Sequence, residues 1–201
     1  VRPRIERDTD ITDARLEDGN GAFDVARQGG ELLGRAHAAD NGGQALSAIS
    51  ATVDELMQAR PTAVNLRWAI ERMKSRLQGM GSGWRLAIEQ ESLAIQAEDL
   101  SANHAMGVLG EQCLPPGARV LTHCNTGSLA TAGFGTALGV IRAGVASGKI
   151  VRIYASETRP WLQGSRLTVW ELLEDGIEAT LIIDGASAYL MQQGKVDFVI
   201  V

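Results

Sequence analysis

Long apolar runs are absent from this chain of 201 residues. No stretch reaches the length of about 18 apolar residues that a helix needs to cross a bilayer. The first residues, Val1–Asp8, also lack the apolar core of a secretory signal peptide, and the chain starts with Val rather than Met. We therefore expect no membrane span, no secretion signal, and a start that is missing or processed.

Basic residues are not in excess, because 19 Lys and Arg stand against 24 Asp and Glu and give a formal net charge of -5. Nucleic acids and anionic membrane surfaces need a basic face, so the sequence predicts neither as a partner. A small basic pocket for a phosphorylated metabolite remains compatible with this charge.

Cysteine and histidine are scarce, with two Cys (Cys113 and Cys124) and three His in the chain. One pair of cysteines in an acidic chain is typical of a reducing cytoplasm rather than of a disulfide scaffold. The scattered His and Cys positions form no ligand cluster, so we expect no metal cofactor.

The chain changes character near residues 115–117, where two prolines and a glycine stand together. Before this point apolar residues recur at helical spacing, as in Leu66, Ile70 and Met73. Residues 1–43 show little periodicity. The sequence therefore predicts a mainly helical region over residues 1–116.

After this point, apolar β-branched stretches alternate with helical ones. Strands are predicted at 118–123, 150–154, 179–183 and 196–201, and helices at 132–146, 164–175 and 186–193. This alternation predicts the first part of a Rossmann-like α/β domain over residues 117–201, a parallel sheet with helices on both faces that is incomplete at the C-terminus. Such sheets bind ligands at the carboxyl ends of their strands.

The segment 121–136 is the strongest candidate for a binding site, because an apolar strand runs into small and hydroxylated residues and then into a helix. Free N–H groups at a helix start can receive an anion. Gly133, Gly135 and Gly139 do not have the G-x-G-x-x-G spacing of dinucleotide folds. A phosphate cradle and tight strand–helix packing explain these glycines equally well.

Cys124 follows the first predicted strand and precedes that helix start. A helix N-terminus favours the thiolate form of a cysteine, so a reactive thiol is one interpretation. A small buried packing residue is the other, and for a lone cysteine it is the commoner one. His123 is not expected to contact Cys124 directly, because neighbouring strand residues point to opposite faces.

The polar connection after the second strand, residues 157–166, offers guanidinium groups at Arg159 and Arg166 and an amide at Gln163. Arginine suits phosphate and glutamine suits sugar hydroxyls, although a salt-bridged loop is the plainer interpretation. Arg60 has the same two interpretations. Asp184 could be catalytic, but a helix N-cap is the favoured hypothesis.

Three segments, taken together, resemble one family. Leu121–Gly139 reads LTHCNTGSLATAGFGTALG, Tyr154–Trp170 reads YASETRPWLQGSRLTVW, and Arg60–Met73 reads RPTAVNLRWAIERM. In this order they are similar to methylthioribose-1-phosphate isomerases of methionine salvage, an aldose–ketose isomerase family related to the regulatory subunits of the translation initiation factor 2B exchange factor. The likeness covers roughly residues 44–201.

The resemblance implies an isomerase that interconverts 5-methylthioribose 1-phosphate and 5-methylthioribulose 1-phosphate without a metal or organic cofactor, as a cytoplasmic homodimer. By its motifs, Cys124 is the catalytic residue. Arg60 and Gln163 correspond to substrate contacts, and Asn125, Thr126 and Gly127 are assigned to substrate binding beside the cysteine.

Two family segments have no counterpart: V-R-G-A-P-A-I-G, upstream of residue 60, and G-A-D-R, with a catalytic Asp, after the fourth strand. From this we expect a chain truncated at its C-terminus and inactive as given. The alternatives are a related isomerase of the ribose 1,5-bisphosphate type, and a non-catalytic regulatory or binding member of the translation-factor-related family.

Overall fold

The computed structural model describes Asp54, Met57, Gln58, residues 64–77 and residues 83–201. The predictions for residues 1–43 and for Arg60 lie outside these residues. The description begins with two helices, α1 (Val64–Leu77) and α2 (Trp84–Gln112). In the described part of the chain, no helix is both long enough and apolar enough to span a bilayer.

Helix α1 buries one face against α2. Its buried residues Leu66, Ala69, Ile70 and Met73 recur at the three- and four-residue spacing of an amphipathic helix. They pack with buried side chains of α2 that include Ile88. Burying one large aliphatic side chain contributes about 1.5–3 kcal/mol, so this seam accounts for the pairing of the two helices.

Helix α2 is continuous over its 29 residues. Its C-terminal half lies close to α3 (Ala137–Ala146). A Cβ at Gly107 would lie 3.2 Å from the Gly139 carbonyl oxygen, and one at Gly110 would lie 2.5 Å from Cγ2 of Val140. The absence of side chains at these glycines therefore lets the helical region pack directly on the α/β part.

In the described part of the chain, four parallel strands form one sheet. They are β1 (Ala118–Thr122), β2 (Ile150–Ser156), β3 (Thr180–Ile182) and β4 (Phe198–Val199), in the order β3-β2-β1-β4. The helices α3, α4 (Val169–Glu174) and α5 (Ala186–Gln192) connect them. The predicted α/β fold with a parallel Rossmann-like sheet is confirmed, while the division of the chain at residue 116 stays a prediction.

Strand β1 lies between β2 and β4. Its adjacent residues Val120 and Leu121 are both buried, although their side chains point to opposite faces of the sheet. Both faces of the sheet are thus covered at this strand. The direction of chain progression reverses at β1, so the carboxyl ends of β1 and β4 flank the crevice where open α/β sheets bind ligands.

Two predicted helices begin differently in the structure. The helix predicted from residue 132 begins at Ala137, after a short 3₁₀ turn at Ser128–Ala130 and a loop in which Gly133, Phe134 and Gly135 have positive φ. The helix predicted over 164–175 consists of a π-helical turn, Gly164–Thr168, followed by α4. Both irregular starts lie at the carboxyl edge of the sheet, where π turns often mark functional sites.

Candidate active site

Cys124 lies in the loop that follows β1, half-buried and as a free thiol. Its backbone N–H donates to Thr158 Oγ1 at 2.8 Å, and its carbonyl accepts a hydrogen bond from Thr168 Oγ1 at 2.5 Å. Both hydroxyls belong to the chain that follows β2. The peptide groups on either side of the Cys124 side chain are therefore fixed by the neighbouring strand connection.

Left-handed backbone conformations cluster around this loop. Cys124 (φ 63°), Thr158 (φ 62°), Leu162 (φ 61°) and Phe134 (φ 67°) all have positive φ without being glycine. Each such residue costs on the order of 1–3 kcal/mol and persists only where its surroundings hold it, which is typical of functional sites. The first three lie in the two loops that Thr158 and Thr168 tie together.

Glu171 organises the chain after Cys124. Its carboxylate is buried and accepts hydrogen bonds from the N–H of Ser128 (2.7 Å), the N–H of Leu129 (3.3 Å) and the side-chain amide of Asn125 (2.9 Å). Arg142 on α3 pairs with it at 2.9 Å. The N–H groups of Ser128 and Leu129, in the segment that we expected to receive an anion, thus already bind an internal carboxylate.

Glu171 was not among the residues predicted from the sequence, although a signal was present. Leu167 and Thr168 are buried, and their spacings of four and three residues put Glu171 on the same helix face. A charged residue on an apolar face requires partners, because an unpaired buried charge is very costly. The carboxylate finds them in the loop after β1 and in Arg142.

The glycines of the segment are explained by packing. A Cβ at Gly127 would lie 2.3 Å from both carboxylate oxygens of Glu171, and one at Gly135 would lie 2.6 Å from the Thr126 carbonyl oxygen. At Gly139 a Cβ would lie 2.9 Å from the Phe134 ring. For Gly135 and Gly139, where the sequence left a phosphate cradle and close packing open, close packing is the explanation that the contacts support.

Gln163 directly precedes the π-helical turn that carries Thr168. Its side-chain oxygen Oε1 is buried and accepts no hydrogen bond from the described residues, and the same holds for the hydroxyl of Thr126. A buried acceptor without a donor destabilises a protein by about 1–3 kcal/mol. Both atoms belong to residues that the sequence assigns to substrate binding, and that role stays a prediction.

A cleft of about 320 Å³ lies between the helical region and the loop after β1. Asn125 and Thr126 line it from the loop, and Asn65, Asp99 and Asn103 line it from the helices α1 and α2. Asp99 also accepts the N–H of Ala132 at 2.9 Å, which fixes the far end of the loop. The cleft is large enough for a small polar metabolite.

Asp184 does not cap α5, contrary to the favoured hypothesis. The cap residue of that helix is Gly185, without a side-chain cap hydrogen bond. Instead, Asp184 accepts the N–H groups of Arg159 (2.7 Å) and Thr158 (2.8 Å), and these bonds lower the pKa of its carboxyl group. The carboxylate therefore holds the loop that in turn binds the Cys124 N–H.

The two arginines of this loop bind groups of the same loop. Arg159 is exposed and pairs with Glu157 at 2.9 Å, and Arg166 donates to the Trp161 carbonyl at 3.0 Å. The salt-bridged loop is thus the interpretation that the contacts support. The structure brings Cys124, Asn125, Thr126, Gly127 and Gln163 to one edge of the sheet, and Arg60 lies outside the described residues.

A model of the initiation factor 2 subunit family matches residues 20–201. The chain belongs to this family. Among curated relatives, methylthioribose-1-phosphate isomerase of Xanthomonas oryzae pv. oryzae (strain MAFF 311018) is 58% identical over 177 residues, which are 88% of this chain and 50% of the relative. The enzyme of the same name from Xylella fastidiosa (strain 9a5c) is 55% identical over the same shares.

Two solved structures also resemble this chain. The 5-methylthioribose 1-phosphate isomerase from Pyrococcus horikoshii OT3 superimposes with a TM-score of 0.81 at 37% identity, over 94% of this chain and 55% of that one. The translation initiation factor eIF-2B, subunit delta, from A. fulgidus gives 0.73 at 39% identity, over 94% and 57%. The chain spans about half the length of the curated relatives it matches, and the predicted resemblance to the isomerases is confirmed.

Proposed function

We propose that the protein containing this chain interconverts 5-methylthioribose 1-phosphate and 5-methylthioribulose 1-phosphate in methionine salvage. The observation that carries the proposal is Cys124. It is half-buried at the carboxyl end of the central strand β1, held by Thr158 and Thr168 on both sides of its side chain. The 58% identity to enzymes named methylthioribose-1-phosphate isomerase supports the same activity.

The substrate would lie against the loop that follows β1. Asn125 and Thr126 line the cleft there, and the buried, unpartnered oxygen of Gln163 is an acceptor for a sugar hydroxyl. Arg60, by its place in the RPTAVNL segment, would bind the phosphate as a bidentate partner. A cytoplasmic homodimer that acts on a small sugar phosphate, without nucleic acid and without a metal or organic cofactor, completes the proposal.

The chemistry needs an acid that opens the ring and a group that moves hydrogen from C2 to C1, because the anomeric phosphate blocks spontaneous opening. Positioned acid–base groups contribute about 10²–10⁴-fold each. Cys124 would act at the C1–C2 side, either as proton carrier or by stabilising developing charge. By the resemblance, its partner acid belongs to the G-A-D-R segment that follows the fourth strand in the family.

Deuterium at C2 of the substrate separates the two routes for the hydrogen. Loss of deuterium to solvent supports proton transfer through Cys124 and an enediol-like intermediate. Complete retention in the product contradicts that role and indicates a hydride shift.

The activity itself is tested with the protein as its gene encodes it. 5-Methylthioribose 1-phosphate is added and the ketose product is followed by NMR, with ribose 1,5-bisphosphate as the competing substrate. Turnover of the methylthio sugar at a higher kcat/KM supports the proposal. A preference for the bisphosphate favours the related isomerase.

A non-catalytic regulatory role is the second candidate. The 39% identity to a structure named as a translation initiation factor subunit favours it. An absence of turnover with both sugar phosphates would contradict the isomerase and favour this role.

A further inference from the structure

Glu171 reaches the candidate site from the helix that follows the polar connection after β2. The residue lies on α4, and its side chain is 3% exposed. Three donors from the loop after β1 converge on its carboxylate: the N–H groups of Ser128 and Leu129 and the amide of Asn125. The carboxylate thus fixes both the backbone and a side chain of the loop that begins at Cys124.

Arg142 keeps this carboxylate paired. Its Nη2 lies 2.9 Å from Glu171 Oε2, and its Nε lies 2.7 Å from Asp175 Oδ2. The same guanidinium donates to the carbonyl of Phe134, at the far end of the loop. A buried charged group is stable only where its hydrogen-bonding groups have partners, and the Glu171–Arg142 pair meets this condition. The pair therefore forms a rigid connection between α3, α4 and the loop.

The support continues to Cys124 through Thr168, which precedes Glu171 by one helical turn. Asn125 Nδ2 donates to Glu171 at 2.9 Å and lies 3.3 Å from Thr168 Oγ1. The Thr168 hydroxyl in turn donates to the Cys124 carbonyl at 2.5 Å. One face of this helix therefore holds the peptide on which the left-handed conformation of Cys124 depends.

The local sequence accommodates this contact. A Cβ at Gly127 would lie 2.3 Å from the carboxylate oxygens, so glycine is required at the closest approach of loop and carboxylate. We propose that Glu171 and Thr168 are positioning residues of this site, which hold Cys124 in one conformation for the reaction. The inference deepens the proposed function and rests on it only for its catalytic consequence.

The experiment measures how fast iodoacetamide alkylates Cys124, which needs no assumption about the reaction. Peptide mass spectrometry separates Cys124 from the exposed Cys113, which serves as an internal reference. Two matched pairs of variants are compared in the protein as its gene encodes it. Glu171→Gln is paired with Glu174→Gln, an exposed carboxylate on the same helix, and Thr168→Val is paired with Thr168→Ser, which keeps the hydroxyl.

Release of the loop exposes the half-buried thiol, so Glu171→Gln and Thr168→Val should each raise the alkylation rate of Cys124 at least about fivefold, the factor of one lost hydrogen-bond contribution. The rate at Cys113, and both rates in Glu174→Gln and Thr168→Ser, should stay at the parent level. If Glu171→Gln does not fold, the Thr168 pair decides by the same criterion.

Unchanged Cys124 rates in Glu171→Gln and Thr168→Val would overturn the proposal, as would a rise that comes with loss of the helical circular dichroism signal, because that combination indicates general unfolding. Where the parent isomerises the methylthio sugar, Thr168→Val should lower kcat by at least about tenfold with little change in KM. Thr168→Ser keeps the hydroxyl, so its kcat should be well above that of Thr168→Val. A parent without turnover contradicts the proposed function, while the alkylation rates still decide the positioning role.

Discussion

At the scale of single residues, Cys124 is fixed through its peptide groups rather than through its side chain. Thr158 accepts its N–H and Thr168 donates to its carbonyl, so the thiol needs no bonding partner of its own to be held in place. This arrangement leaves sulfur available for chemistry. It also explains why a non-glycine residue persists at φ 63°.

We expect the Gln163 side chain to lower the stability of the fold and to strengthen substrate binding. Its buried Oε1 accepts no hydrogen bond from the described residues. Gln163→Met keeps the side-chain volume and removes the unpaired acceptor, so thermal stability should stay equal or rise, by up to about 1–3 kcal/mol. The KM for the methylthio sugar should increase about fivefold, the factor of one lost hydrogen-bond contribution. A lower melting temperature with an unchanged KM would contradict a binding role.

Gly164 allows the π-helical turn to pack against the end of β2. A Cβ there would lie 1.7 Å from the Ser156 carbonyl oxygen, a backbone atom that has little room to move. We expect Gly164→Ala to lower the free energy of unfolding by at least about 2 kcal/mol, measured by urea denaturation.

The matched control is Gly185→Ala. Gly185 has φ -63° and nothing within 4 Å of the added Cβ. This change should leave stability within about 0.5 kcal/mol of the parent. Equal losses in the two variants would show that the close contact at Gly164 does not limit stability.

At the scale of elements, an ion pair joins the last strand to the central one. Arg119 of β1 binds Asp197 through two side-chain bonds of 2.8 and 2.6 Å, and the Arg119 N–H donates to the same carboxylate at 2.8 Å. The Asp197 N–H returns a bond to the Arg119 carbonyl. These contacts align β4 beside β1, at the crevice where the candidate site lies.

The Arg119–Asp197 pair makes the free energy of unfolding depend on pH in the acidic range. Its hydrogen bonds lower the pKa of Asp197 to about 2, below the value near 4 of an unfolded chain. The contribution is fully present above pH of about 4 and is lost as pH falls through about 2. In Asp197→Asn, the urea midpoint should fall less between these pH values than in the parent. Exposed Glu178→Gln is the control, and equal slopes in parent and Asp197→Asn would contradict the assignment.

Periodicity predicted most of the helices and strands. It did not predict the residues at which they begin or the elements that lie beside them. The alternation of strands and helices after residue 117 predicted the sheet and its parallel direction. The start of α3 was wrong by five residues, because the loop before it is held by Arg142 and by the Phe134 ring against α2 and α3, contacts distant in sequence. The position of β4 beside β1 likewise depends on Arg119 and Asp197, which lie 78 residues apart.

For the site, motif resemblance selected Cys124 and Gln163 as candidates, which spacing alone could not separate from ordinary packing residues. The contacts of Glu171 and Asp184 could not be predicted, because both carboxylates bind backbone N–H groups of loops whose conformation the sequence does not determine.

At the scale of the whole molecule, the outer strands of the sheet expose apolar side chains. Leu181 and Ile183, at the β3 edge, and Val199 and Val201, at the β4 edge, are between 46% and 73% exposed. Exposed apolar residues at sheet edges favour association with another chain. We expect the 201-residue chain to self-associate at micromolar concentration, and Val199→Lys to weaken this association in sedimentation velocity. A monomer at all concentrations would contradict the prediction.

The proposed function depends on Cys124 acting on a sugar phosphate, and one measurement tests this most directly. Cys124→Ala is compared with Cys113→Ala in the protein as its gene encodes it, by kcat for 5-methylthioribose 1-phosphate. We expect Cys124→Ala to lower kcat by at least about 10²-fold while the melting temperature stays close to that of the parent. Cys113→Ala should leave kcat unchanged. Full turnover by folded Cys124→Ala would contradict the central claim.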